Sequence, residues 1–199
     1  MTYDELFQGV VINTNRPELT QETAQAIKRA TLKMHSLDYF QADLTEGRLS
    51  VTPSIQPRID LQQFGPHLRK FAAISAVNSG VVSKPLKKID PPVFGSQTKE
   101  SGYFLLGGTL VLQNCGLVTG IVFQYYTLPL VTTDSYNSWI ALKHPYSIID
   151  EASKTVFASV GNAEKAGFYS GLVGSKVPRP SGHVAEILSA NPIGYDSAE

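Results

Sequence analysis

The hydrophobic pattern of this chain changes its period twice, and this constrains the fold more than any other feature of the sequence. Apolar residues recur at helical spacing in the first forty residues, mostly at a spacing of two from about 43 to 130, and at helical spacing again after Pro145. Helices at the two ends of a chain can bundle together while the middle forms a sheet. The order predicts an α+β fold: a helical bundle from N- and C-terminal helices with an inserted antiparallel β-sheet.

The second predicted helix has the clearest apolar stripe in the sequence. A preceding helix over residues 3–12 places Leu6 and Val10 on one face, and Pro145 suits the first turn of a later helix that a shorter one follows. We therefore expect residues 2–40 and 144–173 to form one bundle. The stripe of the second helix consists of Thr23, Ile27, Ala30, Met34 and Leu37.

The strongest pair of predicted strands flanks the dipeptide Cys115-Gly116. The strands cover residues 109–114 and 117–126, and the glycine can supply the positive φ of a tight turn, so a hairpin is expected. Neither face of the second strand is fully polar, which predicts a strand that is central to its sheet or covered on both sides.

Two segments of the middle region depart from the two-residue period. Phe71, Ile74 and Val77 recur every three residues, which favours a short helical turn. Residues 84–99 contain three prolines and a glycine, and we expect an irregular excursion there.

The segment from Gly174 to Glu199 is punctuated by proline and glycine and has little apolar content. This composition predicts an extended C-terminal arm that docks on a partner, with a turn or two of helix possible over 184–188. An arm that stays mobile and contacts nothing is the alternative. The predicted organisation is a domain over residues 1–173 followed by this arm.

The composition excludes several classes of protein. Seventeen basic residues balance seventeen acidic ones, so no net field attracts nucleic acid or an anionic membrane. Charged residues make up 17% of the chain, below the roughly 25% that is usual, and a surface of this kind is often covered by other subunits. The acidic start lacks the positive charge of a signal peptide, and glycines interrupt the apolar stretch 103–123, so we expect a protein made in the cytoplasm without a membrane segment.

A search for catalytic or metal-binding groups yields no constellation. No histidine has a second His or Cys three or four residues away on a helix, so no metal and no cofactor are predicted. Cys115 as a nucleophile remains a minor alternative to a non-enzymatic protein. Asp150 and Glu151 point about 100° apart on a helix, and we expect both at a solvated helix start. The histidines are His35, His67, His144 and His183.

Two segments carry a resemblance to a known family. The first is Arg16-Pro-Glu-Leu19 with the helix that ends Lys33-Met-His-Ser-Leu-Asp-Tyr-Phe40. The second runs through Val122-Phe-Gln-Tyr-Tyr-Thr-Leu-Pro129 and Asp134-Ser-Tyr-Asn-Ser-Trp139 to the helix beginning His144-Pro-Tyr-Ser-Ile-Ile-Asp-Glu-Ala152, and Gly161-Asn-Ala-Glu-Lys-Ala166 follows it. In order and separation these segments resemble the head–tail adaptor proteins of tailed bacteriophages, also called connector or head-completion proteins. The resemblance covers residues 2–173, except for the stretch 79–102, which does not align.

The resemblance implies a structural virion protein and not an enzyme. It implies a ring of twelve subunits at the head–tail interface, docked on the portal protein by the C-terminal arm and receiving the tail or nozzle protein. DNA would pass through the channel during genome ejection without sequence readout. Another tail or baseplate component, or a decoration protein, is the alternative, since neither would need the arm.

On this interpretation particular residues acquire roles. Trp139 is expected to pack with Tyr125 and Tyr126 in a core shared by bundle and sheet. The arm residues expected to contact the portal are Ile187, Leu188, Ile193 and Tyr195.

Overall fold

The computed structural model describes residues 1–65, 67–91, 100–175 and 181–190. It confirms the α+β class, with six helices and two four-stranded sheets in the described part of the chain. The chain divides into a helical unit, Met1–Asp43 with Leu128–Glu199, and a sheet unit, Leu44–Thr127. The sheet unit is therefore inserted between two parts of the helical unit, where the period-two pattern predicted an insertion over about 43–130.

The helical unit is organised around its fourth helix, which contacts the first, second, third, fifth and sixth. Leu6 and Val10 of the first helix and Ile148 and Ala152 of the fourth are buried in one apolar cluster. The predicted stripe of the second helix is confirmed, because Thr23, Ile27, Ala30 and Met34 are buried and Leu37 packs against the cluster. The helices are α1 (Tyr3–Thr14), α2 (Thr20–His35), α3 (Trp139–Lys143), α4 (Pro145–Ser159), α5 (Ala163–Val173) and α6 (Gly182–Ser189).

Local sequence signals set the ends of α1 and the start of α4. The Thr2 hydroxyl accepts a hydrogen bond from the Glu5 amide, and the Glu5 carboxylate accepts one from the Thr2 amide, which is a capping box. Asn15 ends α1 in the left-handed conformation. Pro145 occupies the first turn of α4, as predicted, where its missing N–H costs no helical hydrogen bond.

Residues 181–190 correct the prediction of an extended arm. They form α6, which packs against α4 and α5 and buries Val184 and Ile187 in the core of the helical unit. Val184 and Ile187 are three residues apart, which places them on one helical face, so α6 can bury them within its own chain. Residues 176–180 and 191–199 of the predicted arm lie outside the described residues.

The sheet unit contains two sheets, where one antiparallel sheet was predicted. Their strand orders are β1-β8-β3-β4 and β2-β7-β6-β5, and both sheets contribute side chains to one apolar cluster. All pairings are antiparallel except β5 with β6. The strands are β1 (Leu44–Ser54), β2 (Arg58–Asp60), β3 (Leu68–Asn78), β4 (Val81–Val82), β5 (Lys87–Lys88), β6 (Gly102–Leu106), β7 (Thr109–Gln113) and β8 (Val118–Thr127).

The predicted hairpin around Cys115-Gly116 is wrong. The strands on its two sides, β7 and β8, belong to different sheets, so this dipeptide lies in a connection that crosses from one sheet to the other. Gly116 does adopt a positive φ of 76°. The hairpin partner of β7 is β6, through a turn at Gly107 and Gly108. The central position of β8, between β1 and β3, is confirmed.

The helical turn expected over residues 71–77 is also wrong, because these residues belong to β3. The register with β8 slips between Phe71 and Ala73, which oppose Tyr125 and Gln124, so the strand contains one extra residue there. This bulge brings Phe71 and Ile74 to the same apolar cluster although they are three residues apart. A bulge therefore produced the spacing that resembled a helix.

The aromatic residues expected in one shared core lie in two different clusters. Trp139 packs in the helical unit, with its ring centroid 5.1 Å from that of Phe40. Tyr125 packs in the sheet unit against Phe64, at 5.6 Å. Tyr126 is half-buried in β8. Each unit thus has an apolar cluster of its own, with Trp139 packed against the cluster of the helical unit and Tyr125 against that of the sheet unit.

Candidate functional site

A buried network of hydrogen bonds joins the end of α2 and the residues that follow it to the start of α3. His35, at the end of α2, bonds through Nδ1 to both carboxylate oxygens of Asp43, at 2.9 and 3.0 Å. Its Nε2 lies 2.9 Å from the Ser138 hydroxyl, at the start of α3. The indole N–H of Trp139 donates to the Asp43 carboxylate, also at 2.9 Å.

These groups have the connectivity of a Ser–His–Asp triad, but their surroundings favour a structural role. A nucleophilic serine must be accessible to a substrate, whereas Ser138 is 3% exposed and His35 is 1% exposed. The Ser138 hydroxyl also accepts a hydrogen bond from the Ala141 amide, because Ser138 is the N-cap of α3. The network thus anchors α3 to the end of α2 by satisfying polar groups that have lost their water.

Sequence reasoning missed this network because its two pairs, His35 with Asp43 and Ser138 with Trp139, are far apart in the chain. His35 and Ser138 are separated by 103 residues, and no local pattern pairs them. The only readable signal was Ser138 before Trp139, since serine is a preferred N-cap.

Two buried carboxylates overturn the expectation that Asp150 and Glu151 lie on solvated surface. Glu151 accepts hydrogen bonds from the ammonium groups of Lys33 and Lys154, at 2.7 and 2.8 Å. Asp150 bonds to His183 of α6 at 2.9 Å. They are buried because α4 lies at the centre of the helical unit, and cationic groups from other turns and helices offset the cost of burying their charge.

His183 holds α6 to α4 through these charges. Its Nε2–H donates to Asp150 and its Nδ1–H donates to Glu186, at 2.9 and 3.2 Å. Burial by itself lowers the pKa of His183, but the hydrogen bonds to Asp150 and Glu186 and their negative charges together raise it by more. The pKa of His183 therefore lies above its ordinary value.

We expect the attachment of α6 to weaken as the pH rises. Because the pKa of His183 is raised in the folded state, its stabilising effect is complete below about pH 6.5 and is lost as the pH increases through the raised pKa. The effect should be on the order of 1 kcal/mol or less, as for partly exposed pairs. Hydrogen exchange of the α6 amides at pH 6 and pH 8.5 measures it. His183→Asn should remove most of the difference between the two values, and an unchanged difference would contradict the assignment.

Cys115 lacks the surroundings of a reactive thiol. Its Sγ contacts the Gln113 carbonyl oxygen at 3.1 Å and the Gly102 carbonyl oxygen at 3.7 Å. Burial raises the pKa of the thiol, while these two hydrogen bonds lower it by less. Since the thiolate is the nucleophilic form, a raised pKa disfavours nucleophilic chemistry at Cys115.

An apolar groove lies on the surface of the helical unit between α1 and α4. It encloses about 550 Å³. Ile12 and Tyr146 line it although they are 76% and 63% exposed. Gly9 allows the two helices to approach closely, because a Cβ at this position would lie 2.7 Å from Cδ1 of Ile149. The lining residues are Met1, Asp4, Glu5, Gln8, Gly9, Ile12, Asn13, Tyr146 and Ile149.

The four residues predicted to contact a portal have different outcomes. Ile187 is fully buried, so its side chain is not available to a partner while α6 is in place. Leu188 is partly buried against the same cluster. Ile193 and Tyr195 lie outside the described residues.

Neither a metal centre nor a membrane-spanning helix is found in the described part of the chain. In residues 1–65, 67–91, 100–175 and 181–190, no three His, Cys, Asp or Glu side chains are grouped so that they can hold a metal ion. None of the helices in those ranges has both the length and the apolar character needed to cross a bilayer.

Comparison with known proteins does not assign the chain to a family: no protein-family model matches it, and no curated protein matches it significantly. Its function must therefore be argued from its own residues.

Proposed function

We propose that this chain is a structural protein of a tailed-phage virion, a subunit of the head-to-tail adaptor ring. In this role it docks on the portal and provides the platform for the tail or nozzle protein, and DNA passes through the channel of the ring. The observation that carries the proposal is the number of large apolar side chains that the helical unit leaves in solvent. Those most exposed are Ile12, Leu142, Tyr146 and Phe168.

Exposed apolar side chains of this size favour an assembly protein. A monomer seldom leaves large contiguous apolar patches in water, because covering them gains about 25 cal/mol for each Å². Ile12 and Tyr146 meet at one groove, so their exposure is not scattered. The low share of charged residues, 17%, also favours an assembly protein, since charged residues are depleted at the centre of subunit interfaces.

The two segments that carry the family resemblance contact each other, which supports treating them as one motif. Phe40 of the first segment stacks edge-on against Trp139 of the second. His35 bonds to Ser138, and Lys33 bonds to Glu151.

The burial of Ile187 changes where the portal contact is proposed. Since Ile187 belongs to the core of the helical unit, the proposal retains Ile193 and Tyr195 as the residues that contact the portal. Both residues follow the end of α6, at Ser189, in the chain.

The proposal is tested by mass photometry of the protein alone and mixed with purified portal rings of the same phage. We expect portal rings to gain the mass of about twelve subunits, and we expect Ile193→Asp with Tyr195→Ala to reduce this binding at least tenfold, since truncating central contacts costs more than about 1.4 kcal/mol. Ile55→Asp, which changes an exposed residue of the sheet unit, is the matched control. If wild-type protein does not bind portal rings but binds capsid shells or purified tails, the adaptor role is contradicted. That result would favour a decoration protein or a tail component.

A further inference from the structure

The apolar groove of the helical unit carries two carboxylates at its rim. Its charged side chains are those of Asp4 and Glu5, both in the first turn of α1 and both exposed. The Met1 ammonium, which also belongs to the lining, donates a hydrogen bond to the Ala141 carbonyl oxygen, so the net charge of the rim is negative. A segment that fills this groove must bring apolar side chains to Ile12 and Tyr146 and is favoured if it also brings positive charge.

The sheet unit offers a surface of that kind, which we name the basic edge: β4, β5 and the residues between them, 81–88. The strands β4 and β5 are the outermost strands of their two sheets. Val81 is 71% exposed and Val82 is also exposed. Three lysines accompany them, all exposed and without an ion pair to any described residue: Lys84, Lys87 and Lys88.

A contact between two grooves, or between two basic edges, is disfavoured because it brings charges of the same sign together. Two grooves facing each other would bring four carboxylates together, and two basic edges would bring six lysines together. Groove against basic edge pairs opposite charges around apolar side chains. Because the two surfaces are different, their contact is heterologous, and repetition of a heterologous contact produces a ring or a filament.

We infer that the groove of one copy binds the basic edge, Val81 to Lys88, of the next copy, and that this is a subunit contact of the assembly. The occupant is thus a second copy of this chain. The inference rests on the proposed function for its context, since a ring requires such a head-to-tail contact.

The test uses one variant with an altered groove and one with an altered edge. The groove variant is Ile12→Asp with Tyr146→Ala, and the edge variant is Val81→Asp with Lys87→Glu. All four side chains are exposed, so circular dichroism and the unfolding temperature should match wild type. Leu106→Asp, an exposed residue at the β6–β7 turn, serves as the matched control.

Sedimentation velocity over a range of concentrations gives the decisive comparison. We expect wild type and the control to associate, and each variant to associate at least about tenfold more weakly. An equimolar mixture of the two variants should form a dimer and no larger species, because the intact edge of one fits the intact groove of the other. A groove variant that associates like wild type, or a mixture that stays monomeric while wild type associates, would overturn the inference.

If the free wild-type subunit is monomeric, loading of subunits on portal rings replaces self-association as the measurement. Each variant should then load fewer subunits on a portal ring than wild type loads. Full loading by both variants would overturn the groove–edge contact and leave the adaptor role standing. Failure of wild type to bind portal would overturn the adaptor role, and the mixing experiment, run at concentrations where wild type associates, would still decide the contact.

Discussion

Replacing Asp43 with alanine is expected to destabilise the helical unit by at least about 2 kcal/mol, because two buried hydrogen-bond donors lose their acceptor. The carboxylate of Asp43 accepts hydrogen bonds from the His35 ring and from the Trp139 indole. Both donors stay buried after the substitution, and each unsatisfied donor costs about 1–3 kcal/mol. The residue is 6% exposed, so water cannot easily replace the lost acceptor.

Urea unfolding followed by tryptophan fluorescence measures this effect at the network itself, because Trp139 is the only tryptophan in the chain. Its emission in the folded state should also change, since its indole N–H loses an acceptor. Asp134→Ala is the matched control: this carboxylate is exposed and contacts the nearby Thr133 hydroxyl, so the change should stay within about 0.5 kcal/mol. A loss below about 1 kcal/mol for Asp43→Ala would show that the network contributes little.

The second large effect is expected at α6. Ile187→Ala should destabilise the helical unit by about 2–5 kcal/mol, because it leaves a cavity where a fully buried side chain packs. Deleting residues 174–199 should cost more, since it also removes Val184 and the bond between His183 and Asp150.

The same fluorescence-detected unfolding distinguishes a packed helix from a dispensable arm. Ile55→Ala, an exposed isoleucine of the sheet unit, is the matched control and should change stability by less than about 0.5 kcal/mol. If the 174–199 deletion unfolded at the same urea concentration as the full chain, the packing of α6 would contribute nothing and the original interpretation of this segment as an arm would be restored.

The wrong prediction of a helical turn in β3 shows how a local sequence pattern can mislead. Phe71 and Ile74 are three residues apart, which is typical of a helix, yet the bulge in β3 allows a strand to present both on one face. The connection at Gly116 misled in a similar way, because a glycine with positive φ serves a crossing between sheets as well as a tight hairpin. In both cases backbone geometry was compatible with two structures, and strand pairing decided between them.

The burial of the Asp150 and Glu151 carboxylates was also not predicted from the sequence. Asp150 and Glu151 lie in the second turn of α4, beyond the first turn in which the helix dipole favours negative charge. Their burial depends on Lys33 and His183, which are more than thirty residues away in either case. Composition and periodicity contain no information about such partners.

The sequence alone determined the α+β class, the positions of the main helices and the central place of β8, because helical and strand periodicities and the residues that cap or break helices act over a few neighbouring residues. Tertiary structure decided that the strands form two sheets, that α6 returns to the core, and that His35, Asp43 and Ser138 meet. Most of those outcomes depend on contacts between residues far apart in the chain, such as His183 with Asp150 and His35 with Ser138, which are 33 and 103 positions apart. The free energy of such contacts comes from the burial and hydrogen bonding that appear only when the whole chain has folded.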